Sequence, residues 1–221
     1  MVIEGLKGRI SLHAGSKKFT MIYRKWIGFI VAIAVVLIGT SFYAPRYLAY
    51  SDVPKKSNAI ILLPGPDYKK RKNEVNGLIG QGLADCLIIP AYHKILKVVN
   101  KSKLVPLDYP SLNKSNLLQE EIHRQAFYEN THKEIVEAKT IFDNCGFRSA
   151  IIVSSRYHMR RVKIIAEKVF VGKDYRLYFV PTRYEKRHGI FWFLTPYDLK
   201  WVGREYCKIV WFLLYLPFSS L

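Results

Sequence analysis

The sequence predicts an α/β domain, a mainly parallel sheet with helices on both faces, preceded by one transmembrane helix. Three observations lead there: an uncharged apolar run near the N-terminus, short unbroken apolar runs ending in turn residues, and helical repeats of apolar residues between those runs.

The first run carries no charged residue from Trp26 to Pro45. About 20 such residues, rising ~1.5 Å each, cross the ~30 Å hydrocarbon layer. Trp26, Phe42 and Tyr43 stand at its two ends, where aromatic rings favour the interface. A soluble core helix would show a polar stripe, and this one shows none. Lys17, Lys18, Arg24 and Lys25 precede the run; Arg46, Lys55 and Lys56 follow it. The denser cluster comes first, which predicts a cytoplasmic N-terminus and an extracytoplasmic domain. The run is long for a signal peptide and lacks a clear small-residue cleavage pattern, so a retained anchor is expected. The resulting scheme is a basic tail over 1–25, a span over 26–45, an α/β domain over 57–210 and an apolar tail over 211–221. The run Val210 to Phe218 is about half the length a span needs, so it should pack on the domain or lie against the bilayer surface.

The net charge is +18. A basic domain attracts anionic lipid head groups, phosphorylated ligands or other polyanions. Tethering to a membrane argues against nucleic acid among these. Cys86, Cys145 and Cys207 form no CxxC pair and no zinc-ligand spacing; apolar neighbours predict three buried thiols. GxGxxG and GxxxxGK[ST] are both absent, so no cofactor is expected.

Within the domain, Asn58-Ala-Ile-Ile-Leu-Leu-Pro-Gly65 reads as a buried strand entering a turn. A helix follows over roughly 70–80, then a strand at Leu87–Pro90. Residues 91–127 are polar and hold Pro106 and Pro110; they predict loops, a helix around 116–125 and at most one strand. Apolar spacing then predicts a helix over 131–144 stopped by Gly146, a buried strand Ala150–Ser154, a helix over 157–170 closed by Gly172, and a strand Arg176–Val180. Alternating strands and helices with short links build a parallel sheet, and such sheets bind ligands at the carboxyl ends of their strands.

Three segments fall at those ends. The strand 150–154 runs into a helix through Ser154 and Ser155, with His158 and Arg161 on neighbouring positions of the first turn. Hydroxyls, an imidazole and a guanidinium at a helix start suit an anion; the plainer explanation is a Ser155 cap, a solvated His158 and an Arg161 ion pair. Asn130, Thr131 and Glu134 open the preceding helix. Thr131 and Glu134 have capping-box spacing, while Glu134 with His158 would serve as an acid–base pair. Third is the turn Pro64-Gly65-Pro66-Asp67 with Arg71 beyond it, where Gly65 allows close backbone approach. Glu205 opens the C-terminal apolar stretch as a surface charge or a buried partner for an arginine.

The pattern Asn130-Thr131-x-x-Glu134, a helix, a buried strand, then Ser155-x-Tyr157-His158-Met159-x-Arg161 resembles the YdcF/SanA/ElyC family, domain-of-unknown-function family 218. The order of elements agrees over 57–210. The resemblance implies a Rossmann-like three-layer sandwich and a part in bacterial envelope biogenesis. It implies no reaction. Tyr128 stands at the serine of the first family motif, and Pro64-Gly65-Pro66 and Pro90-Ala91 replace its Gly-rich turn and its Ser-Gly. The functional expectation is a pocket for an anionic or phosphorylated small molecule or a lipid-linked precursor. A non-catalytic binding or scaffolding module is the alternative.

Overall fold

A computed structural model describes residues 11–100, 103–107, 130–172, 174–185 and 192–219. The expected helix around 116–125 and the motif position Tyr128 lie outside the described residues. The chain divides into two units, Met1–Ala44 and Pro45–Leu221. Helix α1 (Ser11–Leu48) makes up the described part of the first and runs into the start of the second; it contains the stretch Tyr23–Leu48, long and apolar enough to cross a membrane. Apolar side chains along it, among them Ile30, Val35 and Leu37, are exposed.

The second unit is built on six strands: β1 (Ser57–Leu62), β2 (Ala84–Ile89), β3 (Lys94–Val99), β4 (Lys103–Pro106), β5 (Ser149–Ser154) and β6 (Arg176–Pro181). Their order is β4-β3-β2-β1-β5-β6. The pairs β1–β2, β1–β5 and β5–β6 are parallel. The pairs β2–β3 and β3–β4 are antiparallel, a hairpin appended to one edge. This hairpin gives two strands where the sequence predicts at most one in 91–127. Apart from buried Ile95 its residues are half-buried or exposed, and such an edge gives a weak apolar signal.

Helices α2 (Tyr68–Gly80), α3 (Asn130–Cys145), α4 (Met159–Val169) and α5 (Pro196–Tyr215) cover the sheet. Side chains alternate across each strand, so β1 and β5 feed two cores. Ala59, Ile61, Ala150 and Ile152 face α3, α4 and α5, where Phe142, Val162 and Phe212 are fully buried. Ile60, Leu62, Ile151 and Val153 face α2 through Val75, Leu78 and Ile79. The two parallel central strands are therefore apolar on consecutive residues, Ala59 to Leu62 and Ala150 to Val153, rather than on alternate ones.

Two expectations change here. The boundary drawn at 210 falls inside α5, whose Phe212 and Tyr215 belong to the core, so 211–221 is no separate tail. Cys207 is exposed, because on a helix that buries Val202, Glu205 and Ile209 it occupies the outer face.

The topology reverses at one position. From β1 the chain moves to β2 on one side, and β5 returns to pair with the other side of β1, Leu62 opposite Val153. Strand order reverses between β1 and β5, and their carboxyl ends frame the crevice that such sheets use.

Candidate functional site

Two loops leave the sheet side by side at this reversal, Leu63–Asp67 after β1 and Ser155–His158 after β5. Arg71 on α2 ties them together. It is 5% exposed. Its Nη1 donates to the carbonyls of Leu63 (2.6 Å) and Pro64 (3.1 Å), and its Nε and Nη2 donate to Ser155 Oγ (3.1 and 2.6 Å). Gly65 makes this possible: a Cβ there would lie 2.8 Å from both Nη1 and Nη2. The close approach expected at Gly65 is thus to Arg71.

Four of the five guanidinium N–H groups are used in this way, and one on Nη2 remains. Ser155 Oγ accepts twice, so its own O–H is directed away as a donor. Ser154 Oγ, fully buried, has no hydrogen-bond partner. Among the described residues no carboxylate meets Arg71 at ion-pair distance. Burial pushes its pKa below the ordinary value, opposed by the more distant charges of Glu185, Asp67, Glu134 and Glu205; the guanidinium remains protonated. A buried cation without a paired anion, beside two hydroxyls, is an arrangement that an anion completes.

The second cluster joins α3, α4 and α5. Arg161, 2% exposed, donates from Nε to Glu205 Oε2 at 2.8 Å and from Nη2 to Oε1 at 3.3 Å. Its Nη1 donates to Thr131 Oγ1 at 2.9 Å, and its Nη2 reaches His158 Nδ1 at 2.5 Å. His158 Nε2 is 3.3 Å from Thr131 Oγ1, and Nδ1 is 3.2 Å from Glu205 Oε2. The pattern assigns the proton to Nε2, donating to Thr131, with Nδ1 accepting from Arg161. Burial and then the Arg161 charge push His158 down to about 4. Burial works to raise the Glu205 carboxyl, but His158 and Arg161 outweigh it and hold it at about 2. At neutral pH the cluster is Arg⁺, Glu⁻ and a neutral imidazole. The charge of Arg71 also reaches His158, so the two clusters adjoin.

The sequence candidates therefore divide. Gly65, Arg71, Ser154 and Ser155 come together at the strand ends. Thr131, His158, Arg161 and Glu205 come together behind them, with Arg161 held by Glu205 as the plainer sequence explanation has it. Glu134, the fifth residue of α3, is half-buried and contributes charge at Arg71. Asn130, the first residue of α3, is exposed. Two capping roles change. Thr131 lies inside α3, and its hydroxyl goes to Arg161 instead of the helix end. Ser155 precedes α4 by a full turn and accepts from Arg71; α4 starts at Met159, with His158 at the N-cap position and no side-chain cap. The buried Arg71 guanidinium lies between the two strand ends, a full turn before the start of α4.

Sequence reading missed the loop after β6. Glu185 Oε2 accepts from the Arg156 backbone N–H at 2.9 Å, and its Oε1 is buried without a partner. Glu74 on α2 holds Arg183 through Nε and Nη2 (3.1 and 2.9 Å). The strand-end rule, applied to β6 as to β1 and β5, finds this loop. Comparison with protein-family models, curated proteins and solved structures returns no match to the chain.

Proposed function

We propose that this chain is a membrane-anchored protein whose extracytoplasmic α/β domain binds a phosphorylated or otherwise anionic ligand at the carboxyl ends of β1 and β5. The observation that carries the reading is Arg71, a buried cation that meets carbonyls and a hydroxyl but no carboxylate at ion-pair distance among the described residues. The remaining Nη2 N–H and the Ser155 and Ser154 hydroxyls are the donors that such an anion takes. The basic cluster Lys17–Lys25 supports a cytoplasmic N-terminus in a bacterial inner membrane. An anchored domain meets lipid-linked envelope precursors, which carry phosphate, at a high effective concentration. The strand reversal supports a Rossmann-like arrangement, and the residues from Asn130 to Arg161 support kinship with the YdcF/SanA/ElyC family and a role in envelope biogenesis.

A binding role without catalysis is the second reading, and one observation favours it. His158, the imidazole best placed for acid–base work, is neutral and held between Arg161 and Thr131. Calorimetric titration of the full chain in detergent with inorganic phosphate, pyrophosphate and a short-chain polyprenyl phosphate tests the proposal. Heat of binding for the parent and none for Arg71→Gln is the expected result. No binding of any of the three to the parent sinks it. Release of inorganic phosphate from the polyprenyl ligand would replace the binding reading by an enzymatic one.

A further inference from the structure

Helix α5 presents a second face. Its inner face buries Asp198, Val202, Glu205, Ile209, Phe212 and Tyr215. Its outer face leaves Val210, Trp211, Leu213 and Leu214 exposed at 55, 48, 48 and 62%, with Phe218 just beyond at 84%. Single exposed apolar side chains are ordinary, but five within nine residues form a patch. The charges on this helix are sorted as well. Both acidic residues, Asp198 and Glu205, are buried, whereas Lys200 and Arg204 are exposed.

The patch adjoins the place where the chain enters the domain. Tyr47 stacks on Tyr206, their ring centroids 6.3 Å apart and planes 14° from parallel. Tyr206, Val210 and Leu213 follow one another along one side of α5. Arg160 lies over the rings of Tyr47 (4.4 Å) and Tyr50 (4.7 Å) and donates from Nε to the Tyr47 carbonyl at 2.8 Å. Leu48, near the start of the second unit, is fully buried.

We infer that the outer face of α5, together with Tyr47 and Arg160, seats on the head-group layer of the bilayer, with Trp211 and Leu214 in the apolar boundary and Lys200, Arg204 and Arg160 at anionic lipid phosphates. The inference rests on reading α1 as a membrane span. Its chemistry is that of an interfacial helix: an apolar patch holding tryptophan, flanking cations and no outward acid. Glu205, on the opposite side of the same helix, belongs to the Arg161 cluster, so seating α5 fixes the anion site at a set height above the membrane.

Cys207 is exposed on this face and provides the probe. The full chain carrying Cys145→Ser is labelled at Cys207 with a small fluorophore and placed in phosphatidylglycerol–phosphatidylcholine nanodiscs. A second preparation, with Cys207→Ser added, is labelled at Lys72→Cys on α2, across the sheet. Head-group nitroxide lipids should quench the Cys207 label several-fold more than the Lys72 label, and iodide should quench it less. Trp211→Glu with Leu214→Glu should abolish the difference while the melting temperature holds, since both side chains are exposed. Equal lipid quenching at the two positions overturns the inference. So does iodide shielding at Cys207 without lipid quenching, which marks cover by protein. A Cys207–Cys207 cross-link in discs holding two copies marks a self-interface and overturns it likewise. Failure of the chain to float with vesicles refutes the anchor instead, and with it the surface that depends on it.

Discussion

Glu205 on α5 grips Arg161 on α4 at two points, Nε–Oε2 at 2.8 Å and Nη2–Oε1 at 3.3 Å, with both side chains almost wholly removed from solvent. A buried pair of this kind is weak evidence of net stabilisation. Removing one partner, however, leaves an uncompensated charge that costs about 3–5 kcal/mol. Arg161→Ala should therefore destabilise the domain by about that amount, and Arg161→Lys by less, because lysine keeps the charge but not the fork. Chemical denaturation reads both. A change below about 0.5 kcal/mol for Arg161→Ala, the size usual for surface substitutions, would show that the pair does not hold α4 to α5.

Acid should unfold the domain earlier than ordinary carboxylate titration predicts. His158 and His132 are each pushed down to about 4, His158 by burial and Arg161, His132 by burial. The unfolded chain, with histidines near ~6.5, binds protons that the folded chain refuses. Stability is thus full above that value and falls as pH drops from 6.5 toward 4; each imidazole accounts for about 2 kcal/mol at pH ~5. Glu205, depressed to about 2, adds loss of the same sign below its unfolded pKa near ~4.5. Melting temperatures across this range should fall, with proton uptake on unfolding. His158→Gln should reduce the slope between pH ~6.5 and ~5, and an unchanged slope would contradict the assigned neutral imidazole.

Gly65→Ala separates binding from folding. The new Cβ meets the far end of Arg71, not backbone, so the guanidinium shifts at a cost of about 1–3 kcal/mol. The shift breaks the geometry that presents Ser155. Phosphate or pyrophosphate binding, measured by calorimetry at a temperature where the variant is folded, should be lost. Retained binding would place the anion away from Arg71.

Much of this was legible in the sequence, for identifiable reasons. The central strands and helices α2 to α5 show in the apolar pattern because burial on both sheet faces makes β1 and β5 continuous runs and the helices periodic. The edge hairpin β3–β4 does not, because half-buried strands lack that signal. The strand-end rule located Gly65, Arg71 and Ser155, and Glu205 was legible either as a surface charge or as a buried partner for an arginine, of which the structure shows the second. Which arginine required three-dimensional information: Arg71 and Arg161 both sit near strand ends, and only tertiary contact shows that Glu205 reaches Arg161. For Ser155 and Thr131 the sequence left a cap and a site role both open, because a hydroxyl at a helix start looks the same in sequence whether it serves the backbone or a guanidinium; the structure places both hydroxyls on arginines. Glu185 escaped notice because the loop after β6 has no apolar pattern of its own.

The C-terminal run offers the sharpest contrast between neighbours. Val-Trp-Phe-Leu-Leu-Tyr is apolar throughout, so composition alone ranks its residues together. Their surroundings differ. Phe212 is fully buried and its ring lies 5.3 Å from that of His132 and 5.6 Å from that of Tyr215. Leu214, two positions on, is 62% exposed. Phe212→Ala removes core volume that α3 and α5 share and should cost about 3–5 kcal/mol. Leu214→Ala should change stability by no more than about 0.5 kcal/mol. Truncation after Val210 deletes Phe212 and Tyr215 together and should leave no folded domain, seen as loss of the cooperative unfolding transition. If the truncated chain melts like the parent, the last turns of α5 are not part of the core. If Leu214→Ala proves as costly as Phe212→Ala, the outer face is packed against protein, and the bilayer assignment for that face fails with it.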